Sequence, residues 1–303
     1  MPNGPKLLLI DGNNMAHRVF WANKNLSYKG RHTGVLYGFF RQLISLHKMY
    51  PNHFRVIAWD GGYHRRRDES AKGIEAGLIP SGYKQNRSIE EDDHEKLAQR
   101  EAVMDQMDQL RMEALPLIRC LQVWMKGIEA DDILNSYAKQ NEGWDGESVI
   151  ISSDQDFYQC VSPNTSVYDA MKKEHWSDER LKMEFGFDPM KWVDAGAIMG
   201  DKSDNIFGVD GWGPVTACKY VREHGGIPEI MAMLKAKKKL GKKEQTFVDS
   251  ADILELAYSL KMMDVIEGLP KARVCHTINE DTIKAYFLEF GFASLLKDIR
   301  RLV

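Results

Sequence analysis

The chain has no long hydrophobic run. Its start holds only Leu7 to Ile10 before Asp11 interrupts. That is too short for a secretory signal or a membrane span, and no later stretch approaches span length. The expectation is a cytoplasmic protein with no membrane partner. Cysteine is scarce and scattered: Cys120, Cys160, Cys218 and Cys275 form no CxxC pair. This excludes a disulfide framework or a cysteine zinc site and leaves reduced thiols. Internal repeats and low-complexity linkers are also missing. A charge excess is missing as well: the net charge of −3 over 303 residues speaks, as an average, against a nucleic-acid partner. What is present is ordinary globular composition, 43% apolar and 28% charged. It suffices for one large domain or a main domain with a small satellite.

Three short apolar runs end in acid: Lys6 to Asp11, Arg55 to Asp60 and Ser148 to Asp154. Continuous runs of this kind suit strands buried on both faces of a parallel sheet. Helical periodicity lies between them, over Val35 to Tyr50 and over Ala130 to Ala138. The alternation predicts an α/β core with a central, mainly parallel sheet flanked by helices. Ligand sites in such sheets lie beyond the carboxyl ends of the strands, where Asp11, Asp60 and Asp154 would emerge together. From about Tyr83 to Cys120 the chain is charged and helix-prone, too long for a simple connection and so functional or flexible. Beyond Asp201, Gly208, Gly211 and Gly213 mark turns, Pro214 opens a helix, and Gly225-Gly226 closes it. The rest reads as helical. The expected division is a catalytic core over residues 1–200 and a helical region over 201–303 packed on it.

Further acids come in tight groups: Glu129, Asp131 and Asp132; Asp154 and Asp156; Asp201 and Asp204. Each group alone is ordinary helix-start or turn chemistry. Nine carboxylates converging at one sheet edge, however, would repel one another unless cations neutralised them. Oxygen-only ligands suit a hard ion such as Mg²⁺ or Mn²⁺. Two ions about 4 Å apart can clamp a phosphodiester, which predicts phosphoryl hydrolysis. Without those nine negative charges the net charge rises from −3 to +6. Basic residues also cluster, in Arg65-Arg66-Arg67 and in the lysines from Lys235 to Lys243. Such patches can follow a phosphate backbone; taken alone, each run reads as a solvated loop.

Six segments resemble the 5′ nuclease (flap endonuclease) superfamily, both its polymerase-linked and its free-standing phage-type members. They are Leu9 to Asn14, Tyr83 to Arg87, Gly127 to Asp132, Ser153 to Asp156, Met199 to Ile206 and Gly208 to Pro214. Their order matches, and the ending Phe290 to Leu296 resembles the end of the polymerase-linked form. The resemblance implies a PIN-like core, a helical arch at about 83–120 and a C-terminal helix–hairpin–helix-type element. It implies two metal positions, one at Asp11, Asp60, Glu129 and Asp131 with Asp132 close by, the other at Asp154, Asp156, Asp201 and Asp204. Lys84 and Arg87 match the basic pair placed over the scissile phosphate. Arg18 is either a phosphate contact or an exposed helix arginine. Tyr83 is either a base-stacking platform or a core residue. Gly208, Gly211 and Gly213 would expose backbone amides to duplex phosphate, with K⁺ a candidate there. Lys237, Lys238 and Lys239 would add phosphate contacts, and Trp212 would pack.

The implied activity is a metal-dependent 5′-3′ exonuclease and 5′-flap endonuclease, acting as a monomer on branched or 5′-ended DNA and on RNA–DNA hybrids during replication. Two features depart from the polymerase-linked pattern. About ten extra residues, Ser70 to Ser81, precede Tyr83, and no polymerase domain follows Val303. The latter suggests a phage-type or small bacterial nuclease. Two other functions compete. A PIN-type endoribonuclease shares the acids but lacks the arch and hairpin, and a non-catalytic DNA binder would have lost acids of the second group, all present here.

Overall fold

The computed structural model describes residues 4–87, 94–271 and 278–303. Cys275 and residues 88–93 of the expected arch lie outside the described residues, while Cys120, Cys160 and Cys218 are free thiols.

Six strands form one sheet: β1 (Lys6–Asp11), β2 (Phe54–Trp59), β3 (Leu121–Trp124), β4 (Glu147–Ile151), β5 (Thr165–Asp169) and β6 (Glu174–Trp176). Their order is β3-β2-β1-β4-β5-β6, parallel throughout except that β6 runs antiparallel to β5. The continuous apolar run of β1 serves both faces. Leu8 and Ile10 enter one core and Leu7 and Leu9 the other, as the period of two in a strand requires.

Helices α1 (Gly12–Asn23), α2 (Gly34–Met49), α3 (His64–Glu75) and α4 (His94–Gln109) come before β3, and α5 (Ala130–Glu142) joins β3 to β4. Beyond the sheet follow α6 (Asp178–Phe185), α7 (Trp192–Met199), α8 (Pro214–His224), α9 (Ile227–Lys235), α10 (Lys242–Asp249), α11 (Ala251–Lys261) and α12 (Glu280–Glu289). One core packs α1 and α2, through Val19, Phe39, Phe40 and Leu43, against Leu8, Ile10 and Trp59. The opposite core sets Ile133, Leu134 and Tyr137 of α5 on Leu9, Val56 and Ile150. A third, around Trp212, Val221, Phe247 and Leu254, ties α8 to α11 onto α7. Trp212 is thus a packing residue, and its indole N–H donates to the Lys243 carbonyl at 3.0 Å.

Two segments pack in ways the sequence did not announce. The second half of α4 lies on the core: Val103 and Met107 are buried, and Gln106 accepts the Val35 N–H at 2.9 Å. The chain end also returns to α2, where Ile283, Phe287, Phe292 and Leu295 join Phe40. No helix among the described residues is long and apolar enough to cross a membrane.

The strand order reverses at β1: β2 and β3 extend to one side, β4 to β6 to the other. That reversal leaves a crevice between β1 and β4 at the carboxyl edge of the sheet. Asp11 ends β1, and Asp154 follows β4 by three residues.

Candidate metal centre and nucleic-acid interface

Asp11 has two roles. As the N-cap of α1 it accepts the Asn14 N–H at 2.9 Å, and its other oxygen accepts from Ser152 Oγ at 3.1 Å. A cap explains an Asp here but not its crowding. Asp60 follows β2 and accepts the Ala130 N–H at 2.9 Å, which fixes the start of α5. That helix start sets Asp131 in its first turn. Asp11, Asp60, Asp131, Asp154 and Asp204 line one cleft, together with Arg18, Lys84 and Arg87. Asp154, Asp156 and Asp201 line its continuation. One carboxylate oxygen from each of Asp156, Asp201 and Asp204 lies within 4.8 Å of the others.

Crowding shows in the acidities. Burial, then Asp60 and Asp154, push the Asp11 carboxyl up to about 7 against the donors Asn14 and Ser152. Burial raises Asp131 well above the carboxylate range, and Asp11, Asp154 and Asp60 add to it. Asp156 rises to about 7 through burial and Asp154, with Lys261 opposing. Asp201 behaves otherwise. Burial would raise it, but Lys261 and the Ser203 donors hold it at about 2. Burial is the larger cause for Asp11, Asp131 and Asp156, and the crowding of neighbouring carboxylates adds to it.

Glu129 and Asp132 face a different partner. Arg66, 4% exposed, bonds both oxygens of Asp132 at 2.8 and 2.9 Å and also bonds Glu129. One Asp132 oxygen further accepts the Asp264 N–H at 2.9 Å. Asp132 thus meets Arg66, behind the five aspartates that line the cleft. Glu129, 2% exposed, meets Lys84 with its other oxygen, so it lies beneath the cleft as an anchor for cations. The run Arg65-Arg66-Arg67 is likewise no uniform patch. Arg65 pairs with Glu69 and Asp264, Arg66 is buried, and only Arg67 is largely exposed.

Lys84 and Arg87 reach the cleft because residues 82–87 are fastened to the loop carrying Asp204. Asn205 donates to the Gly82 carbonyl at 2.7 Å, Lys84 N–H to the Asp204 carbonyl at 2.8 Å, Asn86 to Lys202 at 2.6 Å and Arg87 Nε to Ser203 at 3.1 Å. Lys84 adopts a left-handed backbone (φ 54°), uncommon outside glycine and held here by those contacts. Burial alone would lower the Lys84 ammonium, but Glu129, Asp204 and Asp131 outweigh it and hold the group charged. Arg87 remains 53% exposed while bonding Asp204. Tyr83 is only 6% exposed, and its hydroxyl donates toward Glu129 at 3.3 Å and to Asp204 at 3.1 Å. It belongs to the floor of the cleft, buried as the core alternative expects.

The glycines divide. A Cβ on Gly208 would lie 2.4 Å from the Gly200 nitrogen, so Gly208 serves close backbone approach. Gly211 (φ 76°) and Gly213 have open space around them, at the turn that begins α8. This turn adjoins Met199, Gly200 and Asp201. Lys237, Lys238 and Lys239 are exposed between α9 and α10, away from the cleft lining, with Lys237 paired to Glu244 at 2.7 Å. Lys261, a lone lysine in an apolar helix, carried no sequence signal, yet it bridges Asp156 and Asp201. Trp21, 59% exposed, lines the cleft, and Trp124, 51% exposed, donates to the Asp60 carbonyl at 3.1 Å; neither stood out in the sequence.

Comparison with known proteins bears on the family and the fold. Residues 6–186 match the family described as 5′-3′ exonuclease, N-terminal resolvase-like domain, and residues 187–270 match the 5′-3′ exonuclease, C-terminal SAM fold. A 5′-3′ exonuclease of Aquifex aeolicus is 31% identical over 226 residues, 74% of this chain and 72% of that protein. DNA polymerase I of Rhizobium leguminosarum is 31% identical over 270 residues, 86% of this chain but 24% of that one. For the polymerase of Bacillus subtilis the figures are 29% over 305 residues, 98% and 32%. The chain thus spans about a quarter to a third of these polymerases. Among solved structures, phage T5 5′-exonuclease with bound divalent zinc superposes with a TM-score of 0.72 at 21% identity, covering 98% of this chain and 99% of that one. The T5 D15 flap endonuclease in a product complex with DNA and metal ions gives 0.69 at 22% identity, covering 97% of each. Those likenesses speak for the shared fold. With both family matches spanning residues 6–270, the chain belongs to the 5′-3′ exonuclease family and is a nuclease.

Proposed function

We propose that this nuclease is a structure-selective 5′-3′ exonuclease and 5′-flap endonuclease acting on DNA, and on RNA primers paired to DNA, with two Mg²⁺ or Mn²⁺ ions. The observation that carries the reading is the single cleft at the strand-order reversal, lined by five aspartates and three cationic side chains. The donor set fits hard divalent ions, being all oxygen and crowding the buried carboxyls of Asp11, Asp131 and Asp156 against other acids. Asp11, Asp60 and Asp131 would hold one ion, with Glu129, paired to Arg66 and Lys84, behind them, and Asp154, Asp156, Asp201 and Asp204 would hold the other. When bound, such ions neutralise the carboxylates and supply Lewis-acid activation of water and phosphate.

The chain's own groups do the rest. Arg18, Lys84 and Arg87 draw the phosphodiester toward the aspartates. Lys84, anchored on Glu129, and Arg87, anchored on Asp204, are pre-placed to stabilise charge developing on the phosphoryl oxygens. Glu129 and Tyr83 hold that anchor from below. Beyond the cleft, the uncrowded turn at Gly211 and Gly213 and the start of α8 suit duplex phosphate, with K⁺ the candidate ion there. The lysines 237–239 extend the same non-specific grip. The second carboxylate group carries the cutting centre past the expected boundary at residue 200, to Asp201 and Asp204, and duplex holding is assigned to the helical region after them, in a cytoplasmic monomer. Labelled 5′-flap, nicked, single-stranded and RNA–DNA substrates, incubated with Mg²⁺ and with EDTA, test the reading. Cleavage near the flap junction only with Mg²⁺ is expected. Equal cutting of plain single strands, or turnover in excess EDTA, speaks against it.

A further inference from the structure

Lys261, the last residue of α11, places its ammonium inside the second carboxylate group. Its Nζ lies 2.9 and 2.8 Å from the two oxygens of Asp156 and 2.7 Å from Asp201 Oδ2. These two aspartates are the ones that, with Asp204, bring oxygens within 4.8 Å of one another. The side chain is 5% exposed and is held from several directions. The Lys261 carbonyl accepts from Gln159 Nε2 at 3.1 Å, and Gln159 Oε1 accepts the Met263 N–H at 3.0 Å, so both ends of one amide grip this turn. The aliphatic stem lies against Gly196 of α7; a Cβ at Gly196 would meet its Cγ, Cδ and Cε at 3.7–3.8 Å, ordinary contact. With the stem packed and the backbone pinned, the ammonium has a fixed place among the acids.

We infer that Lys261 is a built-in counter-ion of the second carboxylate group, so that the free protein holds one divalent ion firmly and a second much more weakly. The inference rests on the metal-dependent reading above and deepens it. Lys261 engages both oxygens of Asp156, and its positive charge repels a divalent ion approaching the same acids. At about 4 Å such repulsion weakens binding by at least roughly tenfold even in a well-screened site. Among the described residues no cation bonds Asp11, Asp60 or Asp131 directly, and the nearby Lys84 ammonium is engaged by Glu129, so the firm site lies on their side.

Isothermal titration of the full chain with Mn²⁺, alongside electron paramagnetic resonance counting of free Mn²⁺, reads site number and affinity without any turnover. Wild type is expected to bind one ion with a second at least about tenfold weaker. Lys261→Met should strengthen the weak site at least about tenfold, whereas Lys261→Arg, which keeps the charge, should leave it weak. Circular dichroism of each variant establishes that it folds. Two equally firm ions in wild type overturn the inference by themselves, whatever the variants do. So does a folded Lys261→Met whose weak site is unchanged. No bound ion in wild type would overturn the metal-dependent reading as well, which separates the two failures.

Discussion

Replacing Arg66 by Met isolates the buried charge that organises the floor of the cleft. The guanidinium is 4% exposed and donates to the Leu260 carbonyl at 2.9 Å, to the Met262 carbonyl at 3.1 Å, to both oxygens of Asp132 and to Glu129. Methionine keeps much of the volume but removes every donor. Glu129 would still have Lys84, so its loss is partial. Among the described residues Asp132 would keep only the Asp264 N–H, leaving a buried carboxylate without a cation bonded to it. Removing one partner of a buried pair costs about 3–5 kcal/mol, and the surviving Lys84 interaction favours the lower end. At roughly 2 °C per kcal/mol for a chain of this size, the melting temperature should fall by about 6 °C or somewhat more. Thermal unfolding followed by circular dichroism in EDTA measures this directly. Adding Asp132→Asn to Arg66→Met should recover part of the loss, because the stranded charge disappears. A single variant that melts within about 1 °C of wild type would refute the view that Arg66 compensates these acids.

Other outcomes follow from the same geometry. Asp11 and Asp156 have carboxyls raised from 3.8 to about 7, so folding favours their protonated forms. Their contribution is fullest below about pH 4 and is lost as pH rises through 7; urea unfolding in EDTA from pH 5 to 8 should show stability declining, and saturating Mg²⁺ should flatten the slope. A stability that rises across that range in EDTA would contradict the assignment. Lys84→Ala and Arg87→Ala should lower single-turnover cleavage of a flap more than they lower affinity. Weaker affinity with an intact rate at saturation would show that the pair acts only in binding. A triple Lys237/Lys238/Lys239→Ala variant should weaken flap binding and reduce the log-affinity against log-salt slope by roughly 0.9 for each phosphate no longer neutralised. An unchanged slope would return that run to the status of a solvated loop.

The fold's frame was legible because β1, β2 and β4 are continuous apolar runs closed by acid, and because α2 and α5 carry strong helical periodicity. Pro214 and Gly225 bounded α8 as written in the sequence. The rest depended on interactions between distant segments. Strand β3, Leu-Gln-Val-Trp, and strand β6, Glu-His-Trp, are too short and polar for any pattern to mark them. The aspartates could be grouped from sequence, but not sorted: Asp131 and Asp132 are neighbours, yet the roughly 100° between successive helix residues aims them at the cleft and at Arg66 respectively. Arg66 itself was hidden within a run of three arginines that reads as surface. Lys261 had no signal at all, since a lone lysine beside Leu260 and Met262 resembles any helix end. Only the packing of α11 against α7 shows that it enters the acids.

The central claim is that the convergent carboxylates cut while cationic and backbone groups elsewhere hold the substrate. Asp154→Ala tests it most directly, because Asp154 lines both parts of the cleft and, among the described residues, its carboxylate bonds only the nearby Asp156 N–H. Cleavage of a labelled 5′-flap under single-turnover conditions in Mg²⁺, with flap affinity measured in Ca²⁺, gives both quantities on one substrate. The account predicts that cutting is abolished while affinity stays within a few-fold of wild type. A variant that still cuts at the wild-type rate, or whose loss of cutting merely tracks a loss of binding, would contradict it.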